Sequence, residues 1–532
     1  MAGTPLGTLT DVGRARPVVV VGSGAAGLAA ALGASSAGAE VLLLEAGPAV
    51  GGTSAMSGGV VWCPGHGRGG AGDDGPARAT AYLEALAHGD VDAALMRSFV
   101  SGAAPVVDEI EQRTPLEWDV LEHWPDYRSD LPGGSAGGRS LWPRPVCLDP
   151  GIERRVQPAF DQPSPPQRPG DGGRRGAGLA DATGAPAHDG VVLRGHVRGR
   201  ALCAALLAGV LGAGVEVRTG ARARAVVQGA SGVRGVAVGR RTCTGRVVLA
   251  TGGFQHDGFL VARHLPGPPV APMGTPGCVG DGLRMAEALG SELGNMGEGW
   301  WMPAMHVPGE ALDGVEHFRP LHSERAKPGA IVVDGSARRF VDEAQSYGDV
   351  GRAMRRRDAG PYWLVCDAAY RARYPLGPLE PGDEDPEWLA RGHDLRVLAR
   401  RLGLAPAALE DTVARFNEGA ARGVDEEFGR GTRPYASWIG DPAAPHPTLA
   451  PLREPPFYAV AVHLGCMGTK GGPRTDECGR VRSRGGGVVP GLYAAGNAAA
   501  SPFGSATAAG GATLGPALVF GFRAGAAAAT DP

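Results

Sequence analysis

Three glycines near the start of the chain stand at a spacing that can hold a phosphate group. Gly22, Gly24 and Gly27 form G-x-G-x-x-G within VVVVGSGAAGLAAALG, and Glu45 follows at the end of the next apolar run. Such glycines make a tight turn, let a pyrophosphate approach the backbone and let a helix pack closely on a strand. An acid at the position of Glu45 can bond a ribose hydroxyl. The four residues therefore predict a dinucleotide site, with a helix N-terminus facing the phosphates.

The elements that must position this site are short, apolar and spread along the chain. Residues 17–21, 41–44 and 247–250 are continuous apolar runs, which is typical of strands buried on both faces of a parallel sheet. Short strands before the third run predict a β-meander. Near the C-terminus, GLYAAGN at 491–497 leads into the uncharged stretch SPFGSATAAGGATLGPALVFGF at 501–522. We therefore predict an α/β fold whose Rossmann-like domain, a parallel sheet plus a β-meander, is completed by the C-terminus.

Length and composition predict a second domain inserted into the first. A chain of 532 residues is too long for one ordinary core, and Trp, His and charged residues become more frequent after about residue 292. We assign 1–291 and 446–532 to the two parts of the cofactor-binding domain, and 292–445 to an inserted α+β substrate or capping domain. The Pro/Gly/Arg-rich stretch at 150–190 is predicted to be a loop or a disordered insert.

Local patterns give a first estimate of the individual elements. The predicted helices are 76–113, 197–213, 386–403 and 407–421, and the predicted strands of the inserted domain lie near 330–341 and 361–366. Gly510 and Gly511 are predicted to open the last helix, with their N–H groups facing a bound ligand.

Charge and hydropathy exclude several classes of protein. A formal charge of −3 and a pI near 6.5 argue against a nucleic-acid partner. We find no apolar run of roughly 18 residues and no signal-like N-terminus, so we expect a cytoplasmic protein without a membrane span. The histidines and cysteines lack the spacing of metal ligands, so no metal is expected.

Further motifs give the chain a resemblance to a known family. GSGAAG, Glu45, GGTSAMSGG, ATGGF, GDGLRMAEALG, GTKGG and GLYAAGN occur in this order. In this order they resemble the flavoprotein family that contains fumarate reductases and 3-ketosteroid Δ1-dehydrogenases. PDYRSDLPGGSAGGR, RRFVDEAQSY, LEDTVARFNEGAARGVDEEFGRG and GGATLGPALVFGF are more similar to the ketosteroid dehydrogenase branch.

The resemblance implies noncovalently bound FAD. Its AMP half would lie on the glycine turn and Glu45, and its flavin ring between the 51–59 loop and the C-terminal segment. A second G-x-G-x-x-G for a nicotinamide cofactor is missing, so a quinone, O2 or a redox protein is expected to take the electrons. The residues expected to bind FAD are Gly22, Gly24, Ala25, Ala26, Gly27, Glu45, Ala46, Gly52, Thr53, Ser54, Ser57, Gly58, Gly59, Ala250, Thr251, Gly252, Asp281, Gly496, Asn497, Gly511, Thr513 and Leu514.

The ketosteroid branch implies an oxidoreductase that acts on CH–CH donors. It would place a C=C bond next to the carbonyl of an apolar cyclic ketone, either steroid-like or a polyketide- or terpenoid-type ring compound. A base takes the α-proton, flavin N5 accepts a hydride and donors polarise the carbonyl. The resemblance places the base at Tyr347, its supporting phenol at Tyr127 and a backbone donor at Gly511. The family's carbonyl-holding tyrosine is replaced here by Thr507.

Two other functions remain open at this stage. An ene-reductase would run the same chemistry backwards on an enone or a fumarate-type substrate, although Ala508 and Gly468 stand where the fumarate reductase branch has Arg and His. Alternatively, the protein binds FAD but is catalytically impaired, as the change at Thr507 would allow. The tyrosine pair argues against that alternative.

Several further residues have both a functional and a structural interpretation. His463 could face the flavin or pack in the core, and Asp281 could meet the flavin phosphate region or cap a helix. Four residues could line an apolar substrate pocket or fill the core of the inserted domain: Trp300, Trp301, Met302 and Met305.

Overall fold

A computed structural model describes residues 17–69, 74–89, 91–158, 198–357 and 359–531. Its helices are α1 Ala25–Ser36, α2 Gly52–Met56, α3 Pro76–Leu86, α4 Ala93–Arg113, α5 Pro150–Glu153, α6 Arg198–Gly212, α7 Gly258–His264, α8 Asp281–Glu287, α9 Tyr347–Arg357, α10 Ala368–Arg373, α11 Leu395–Leu402, α12 Pro406–Ala420, α13 Pro434–Ile439 and α14 Leu514–Thr530.

Strands lie between these helices along the chain. They are β1 Val18–Val21, β2 Val41–Leu44, β3 Val61–Trp62, β4 Trp118–Val120, β5 Ser140–Pro143, β6 Glu216–Arg218, β7 Ala223–Gly229, β8 Gly232–Val238, β9 Arg241–Thr244, β10 Arg246–Leu249, β11 Val270–Pro272, β12 Leu293–Gly294, β13 Gly299–Leu312, β14 Val315–Pro320, β15 Ala330–Val333, β16 Tyr362–Cys366, β17 Ala390–Gly392, β18 Phe457–Thr469, β19 Gly472–Pro473, β20 Arg480–Arg482 and β21 Val488–Ala494.

A six-stranded sheet forms the centre of the Rossmann-like part. Its order is β20-β21-β10-β1-β2-β6, and β1 pairs in parallel with both β2 and β10. All four valines of β1 are buried, as expected for a strand covered on both faces. Because β21 pairs with β10, the C-terminal segment completes the sheet that the N-terminal strands begin. The strands β7, β8 and β9 form the predicted meander, so the mixed α/β fold is confirmed.

Helices α1 and α14 cross closely because both are built from alanine and glycine. A Cβ placed on Gly33 would stand 2.0 Å from the Phe522 carbonyl oxygen, and one on Gly525 would stand 1.9 Å from that of Ala30. Side chains at these positions would push the helices apart, since buried packing leaves no space to absorb them. The glycines therefore fix the last helix against the first.

A second sheet lies over the cofactor-binding part. Its strands follow the order β14-β13-β18-β16-β15, and β11 and β17 also pair with β18. Helices α11 and α12 supply Leu398, Leu409 and Phe416 to a core behind this sheet. Strand β18 therefore joins the sheet of the segment 292–445, although its own residues fall in the predicted range 446–532. The two proposed domain ranges stay a prediction.

Several predicted boundaries are wrong, each for a local reason. Residues 76–113 form two helices, α3 and α4, and Asp92 caps the second. Of 386–403 only α11 is helical, because β17 precedes it and the Asp394 side chain caps Val397 N–H at 2.7 Å.

Two more boundaries differ in the same way, and one prediction cannot be compared. Strand β15 ends at Val333, where Asp334 turns the chain by accepting from Ser336. The last helix begins at Leu514, since Gly511 has a φ of +90° that no α-helix accommodates. Of the insert predicted at 150–190, α5 forms at its start, and 159–190 lies outside the described residues.

Within the described ranges, no helix combines the length and the apolar character needed to cross a membrane. The same residues contain no cluster of His, Cys, Asp and Glu that could hold a metal ion.

Candidate active site

The glycine turn after β1 is packed too closely to admit any side chain. A Cβ on Gly22 would stand 2.3 Å from the Ala250 carbonyl oxygen, and one on Gly27 would stand 1.8 Å from that of Gly22. Gly22 also has a φ of +104°, which side chains rarely adopt. The turn therefore brings the N-terminus of α1 against the end of β10 with its backbone exposed to the cleft beside it.

This cleft is lined by most of the predicted FAD-binding residues. The predicted residues that line it are Gly22, Gly24, Ala25, Ala26, Glu45, Ala46, Gly52, Thr53, Ser54, Ala250, Thr251, Gly252, Asp281, Gly496, Asn497, Thr513 and Leu514. Glycines and small side chains line one end of the cleft, and the start of α14 lines the other. The end beside the N-terminus of α1 presents backbone N–H groups that suit a pyrophosphate, so these residues fit FAD.

Five predicted FAD-binding residues do not line the cleft itself. Gly27 packs under Gly22, and Gly511 packs on β3, where a Cβ would stand 2.5 Å from the Trp62 nitrogen. Ser57 donates from Oγ to the Ser54 carbonyl oxygen at 2.7 Å. The other two adjoin it: Gly59 donates to Ser57 Oγ, and the Gly58 carbonyl accepts from Trp142. Direct contact of these five residues with FAD stays a prediction.

The cleft also contains residues that the sequence analysis missed. Arg222 forms an ion pair with Asp281 at 2.7 Å, so the Asp281 carboxylate binds a guanidinium. The N-cap of α8 is Gly280 and not Asp281. Other missed residues include Gln255, Thr275, Cys278 and Met467. None of these belongs to a motif that the sequence analysis named, because Met467 lies on β18 and the others lie in loops that only the tertiary fold brings to the cleft.

Tyr127 and Tyr347 come together beyond the flavin end of this cleft, 220 residues apart in sequence. Their ring centroids lie 5.3 Å apart in an edge-to-face arrangement, and both side chains are buried. Met467 connects the two regions, since it lines the cleft and packs on the tyrosine cluster. Burial raises the pKa of Tyr347, whereas the Tyr127 hydroxyl and the Arg325 guanidinium act in the opposite direction. The Tyr127 hydroxyl completes no hydrogen bond among the described residues.

Tyr127 is held by the carboxylate of the residue before it. Asp126 accepts from Trp62 Nε1 at 3.0 Å and pairs with Arg139 at 2.6 Å, and all three side chains are buried. Burial raises the pKa of Asp126 to about 6, and Arg139 opposes this shift. The Tyr127 N–H donates to the Ala508 carbonyl at 3.0 Å. This tyrosine is therefore fixed to the loop that contains Thr507.

Tyr347 is held from the other side by a buried ion network. Arg339 binds both Glu343, at 2.8 Å, and Asp425, at 2.8 Å, and Arg430 also reaches Glu343, at 3.1 Å. The network joins RRFVDEAQSY to VDEEFGRG, which belong to two motifs of the family resemblance, and Tyr347 is the last residue of the first and starts α9. A buried pair that loses one partner leaves an uncompensated charge, so these residues act together to fix the segment.

The loop 505–511 lies between the cleft and the tyrosines, with its carbonyl groups bound by surrounding donors. Lys470 Nζ donates to the carbonyls of Ser505 and Ala506, at 2.8 and 2.6 Å, and Tyr82 donates to that of Ala508 at 2.6 Å. Gly510 and Gly511 carbonyls accept from Ser140 Oγ and Trp62 N–H. In contrast, within the described residues the N–H groups of 507–511 have no acceptor. The loop thus offers a row of free backbone donors.

Thr507 lies beside the base candidate. A Cβ placed on Gly348, the residue after Tyr347, would stand only 2.9 Å from Thr507 Oγ1. The Thr507 side chain is buried overall. All four predicted catalytic residues therefore occupy one region, with Gly511 at the far end of the same loop.

Four aromatic residues that the sequence analysis missed surround the tyrosine pair. Tyr435 packs on Tyr127 with 4.8 Å between ring centroids, and His322 lies 5.7 Å from the Tyr347 ring. Trp124 and Trp438 pack with their rings tilted and 4.5 Å between centroids, and Trp124 covers Gly510, where a Cβ would stand 2.8 Å from the indole. Such rings give the site an apolar wall that fits a hydrocarbon ring.

Comparison with known proteins agrees with this geometry. Residues 17–514 match the FAD binding domain family. The chain belongs to this family of FAD-binding flavoproteins. The chain is 34% identical to the 4-oxocyclohexanecarboxylate 2-dehydrogenase of Sinomonas cyclohexanicum, a match that covers 99% of this chain and 93% of that protein. It is 33% identical to a 3-oxosteroid 1-dehydrogenase of Mycobacterium tuberculosis, covering 95% and 97% respectively.

A solved structure shows the same similarity in three dimensions. The 3-ketosteroid Δ1-dehydrogenase of Sterolibacterium denitrificans, crystallised with 1,4-androstadiene-3,17-dione, superposes with a TM-score of 0.88 at 31% identity, covering 97% of this chain and all of that one. The predicted family, the FAD cofactor and the assignment as an oxidoreductase are therefore confirmed. Similarity to these dehydrogenases of cyclic ketones supports the predicted FAD-dependent dehydrogenase function, whereas the substrate and the mechanism stay predictions.

Within this flavoprotein, the remaining candidate residues separate by position. His463 lies on β18 against Phe318, 5.2 Å between ring centroids, and burial lowers its pKa, as expected of a core histidine. Met302 packs in the tyrosine cluster, whereas the other candidates pack elsewhere: Trp301 and Met305 in the core of the second sheet, and Trp300 on Asn497.

Proposed function

We propose that this flavoprotein desaturates a cyclic ketone, placing a C=C bond next to the carbonyl. The observation that supports it most directly is the buried pair Tyr127–Tyr347, 5.3 Å between centroids, beside a loop with free backbone N–H groups. A base and a carbonyl-binding surface at one point are the two protein functions that this reaction needs.

Tyr347 acts as the base, in its phenolate form, and the Tyr127 hydroxyl donates a hydrogen bond toward that phenolate. The bond between the α-carbon and its hydrogen breaks, and the proton goes to the Tyr347 oxygen. The electron pair left behind forms the C=C bond as the β-hydrogen leaves with its own pair, so the substrate loses two electrons. When bound, FAD supplies the acceptor for that hydride at flavin N5.

The backbone of 507–511 polarises the carbonyl. Because the loop's carbonyl oxygens accept hydrogen bonds from residues such as Lys470, Tyr82 and Ser140, its N–H groups remain for the substrate oxygen. Thr507 Oγ1 adds a donor beside Tyr347, and Gly511 N–H adds one at the other end. Preorganised donors of this kind stabilise a developing enolate without reorganisation during the reaction.

The aromatic residues around the tyrosine pair indicate that the substrate is an apolar ring compound. Trp124 and Trp438, with 4.5 Å between their ring centroids, limit how far such a ring system extends from the carbonyl. The relatives act on a monocyclic oxo acid and on 3-oxosteroids by name, so both sizes of ring belong in the test.

Anaerobic titration of the yellow holoenzyme with a panel of ketones tests this function. The panel contains 4-oxocyclohexanecarboxylate, a substituted cyclohexanone and a 3-ketosteroid, and the measurement is bleaching of the flavin absorbance. Bleaching by at least one ring ketone, with the enone as product by mass spectrometry, is the expected result. If no ketone bleaches the flavin while an enone reoxidises the dithionite-reduced enzyme, the enzyme is a reductase and the proposal is wrong.

A further inference from the structure

Arg325 is a buried cation without a carboxylate partner. Its side chain is fully buried, and within the described residues no Asp or Glu oxygen lies at ion-pair distance from it. Nη1 donates to the backbone carbonyls of Glu343 and of Gln345, the latter at 2.8 Å. Nε and Nη2 have no acceptor in the same part of the chain. A buried charge of this kind is costly, so its retention calls for a reason.

The guanidinium stands directly behind the phenols of the site. The two carbonyls that hold it belong to the segment that ends at Tyr347, and the neighbouring Ala326 and Ala344 pack in one cluster with that tyrosine. Burial raises the pKa of the cluster's phenols, Tyr127, Tyr347 and Tyr435, and for all three the Arg325 charge acts in the opposite direction.

Few other charges face these phenols. Burial lowers the pKa of His322 to about 3, so it is neutral near pH 7, and it lowers that of Lys327 to about 8, whose Nζ binds the carbonyls of Ile439 and Gly440. Asp349, in the first turn of α9, binds Ser346 Oγ. The two other acids near the guanidinium are Asp342 and Glu324, and burial raises the pKa of each.

We infer that Arg325 is a positioning residue for the desaturation, whose fixed positive charge favours the phenolate of Tyr347 from behind while the substrate lies in front. The inference rests on the proposed function, since it assigns a role only if Tyr347 accepts the proton. The guanidinium never reaches the substrate, because it is fully buried behind the phenols. The absence of a carboxylate partner fits this role, because a carboxylate beside Arg325 would cancel the positive charge that stabilises the phenolate.

The test compares the pH dependence of flavin reduction in variants that keep or remove the charge. Arg325→Gln keeps amide donors for the two carbonyls but is neutral, and Arg325→Lys keeps the charge. Arg371→Gln is the matched control, because Arg371 is also buried and binds two carbonyls, of Glu380 and Asp383, away from the tyrosines. The measurement is the rate of anaerobic flavin bleaching by a saturating ketone from pH 6 to 10.

The expected result is a shift of the midpoint to higher pH by about one to three units in Arg325→Gln, with a fall of about ten-fold or more at pH 7. Arg325→Lys and Arg371→Gln should keep the wild-type midpoint. An unshifted Arg325→Gln profile would overturn the inference, and so would an Arg325→Lys profile shifted as far as that of Gln. If Arg325→Gln fails to retain flavin, Arg325→Lys decides the matter: loss of flavin there too would show that the guanidinium serves the fold and not the charge.

Failure of the inference about Arg325 can be distinguished from failure of the proposed function. If Tyr347→Phe bleaches as fast as wild type, the base assignment is wrong whatever Arg325 does. If Tyr347→Phe is inactive and the Arg325→Gln profile is unshifted, the function stands and only the inference about Arg325 falls.

Discussion

Replacing Tyr347 with phenylalanine removes one oxygen and little else. The ring would keep its contacts with Tyr127 and His322, 5.3 and 5.7 Å between centroids. Removal of one hydroxyl and its interaction with Tyr127 should change the free energy of unfolding by about 1 kcal/mol. FAD should remain bound, because the cleft residues are untouched. The substitution therefore isolates the chemistry from the fold.

The expected loss of rate follows from the role of a general base. Positioned bases contribute about 10²- to 10⁴-fold, which corresponds to about 2.7–5.4 kcal/mol of activation free energy. Tyr127 stands closest to Tyr347 but lies deeper, with its hydroxyl enclosed, so it is poorly placed to replace the missing base. We therefore expect the rate of flavin bleaching to fall by about 10³-fold or more.

The assay is stopped-flow bleaching of the anaerobic holoenzyme at saturating ketone, with the bound-flavin spectrum recorded first. Tyr374→Phe is the matched control, since Tyr374 is also buried but its hydroxyl binds Asp441 at 2.7 Å, outside the tyrosine cluster. That control should bleach at the wild-type rate. A Tyr347→Phe enzyme that retains its flavin spectrum and bleaches within ten-fold of wild type would refute the reasoning.

Three further predictions test the surroundings of the site. Because burial lowers the pKa of His322 to about 3, the folded state resists protonation, and stability should fall by about 2 kcal/mol from pH 8 to pH 5 through this residue alone. In denaturant unfolding the fall from pH 8 to pH 5 should be about 2 kcal/mol smaller in His322→Gln than in wild type, and equal falls would contradict the prediction. Gly27→Ala should lose FAD, since its Cβ would overlap the Gly22 oxygen, whereas Gly212→Ala, with nothing within 4 Å, should keep the wild-type flavin content. Trp438→Ala should raise kcat/KM for a 3-ketosteroid relative to a monocyclic ketone by about ten-fold, and an unchanged ratio would show that the Trp124–Trp438 pair does not limit ring size.

The glycine turn was predictable because its chemistry is contiguous in sequence. Gly22, Gly24 and Glu45 lie within one strand–helix–strand unit, so their spacing alone brings them to the cleft. Arg222 and Gln255 complete the same cleft but come from separate loops, and nothing in their local sequence indicates a ligand. Their contribution is decided by tertiary contacts that only the folded chain reveals.

The sequence analysis identified the two phenols of the site but not the residues that pack behind them. Tyr127 and Tyr347 belong to motifs, whereas Tyr435 and Arg325 come from elements that only the folded chain places behind them. The helix start predicted at Gly510 and Gly511 also failed for a physical reason: Gly511 has a φ of +90°, so the helix begins only at Leu514. Helical periodicity cannot detect a loop whose shape is set by donors from elsewhere.

The two tyrosines and the loop between them are held by separate networks that meet at one place. Asp126 and Arg139 fix Tyr127 from one side, and Tyr127 in turn donates through its backbone to Ala508. Lys470 fixes the same loop from the other side, through the carbonyls of Ser505 and Ala506. The loop is therefore fixed through its carbonyls, and the proposed function assigns its N–H groups to the substrate carbonyl. On that proposal the backbone donors bind the carbonyl whatever side chain stands at 507, so a threonine there is compatible with desaturation.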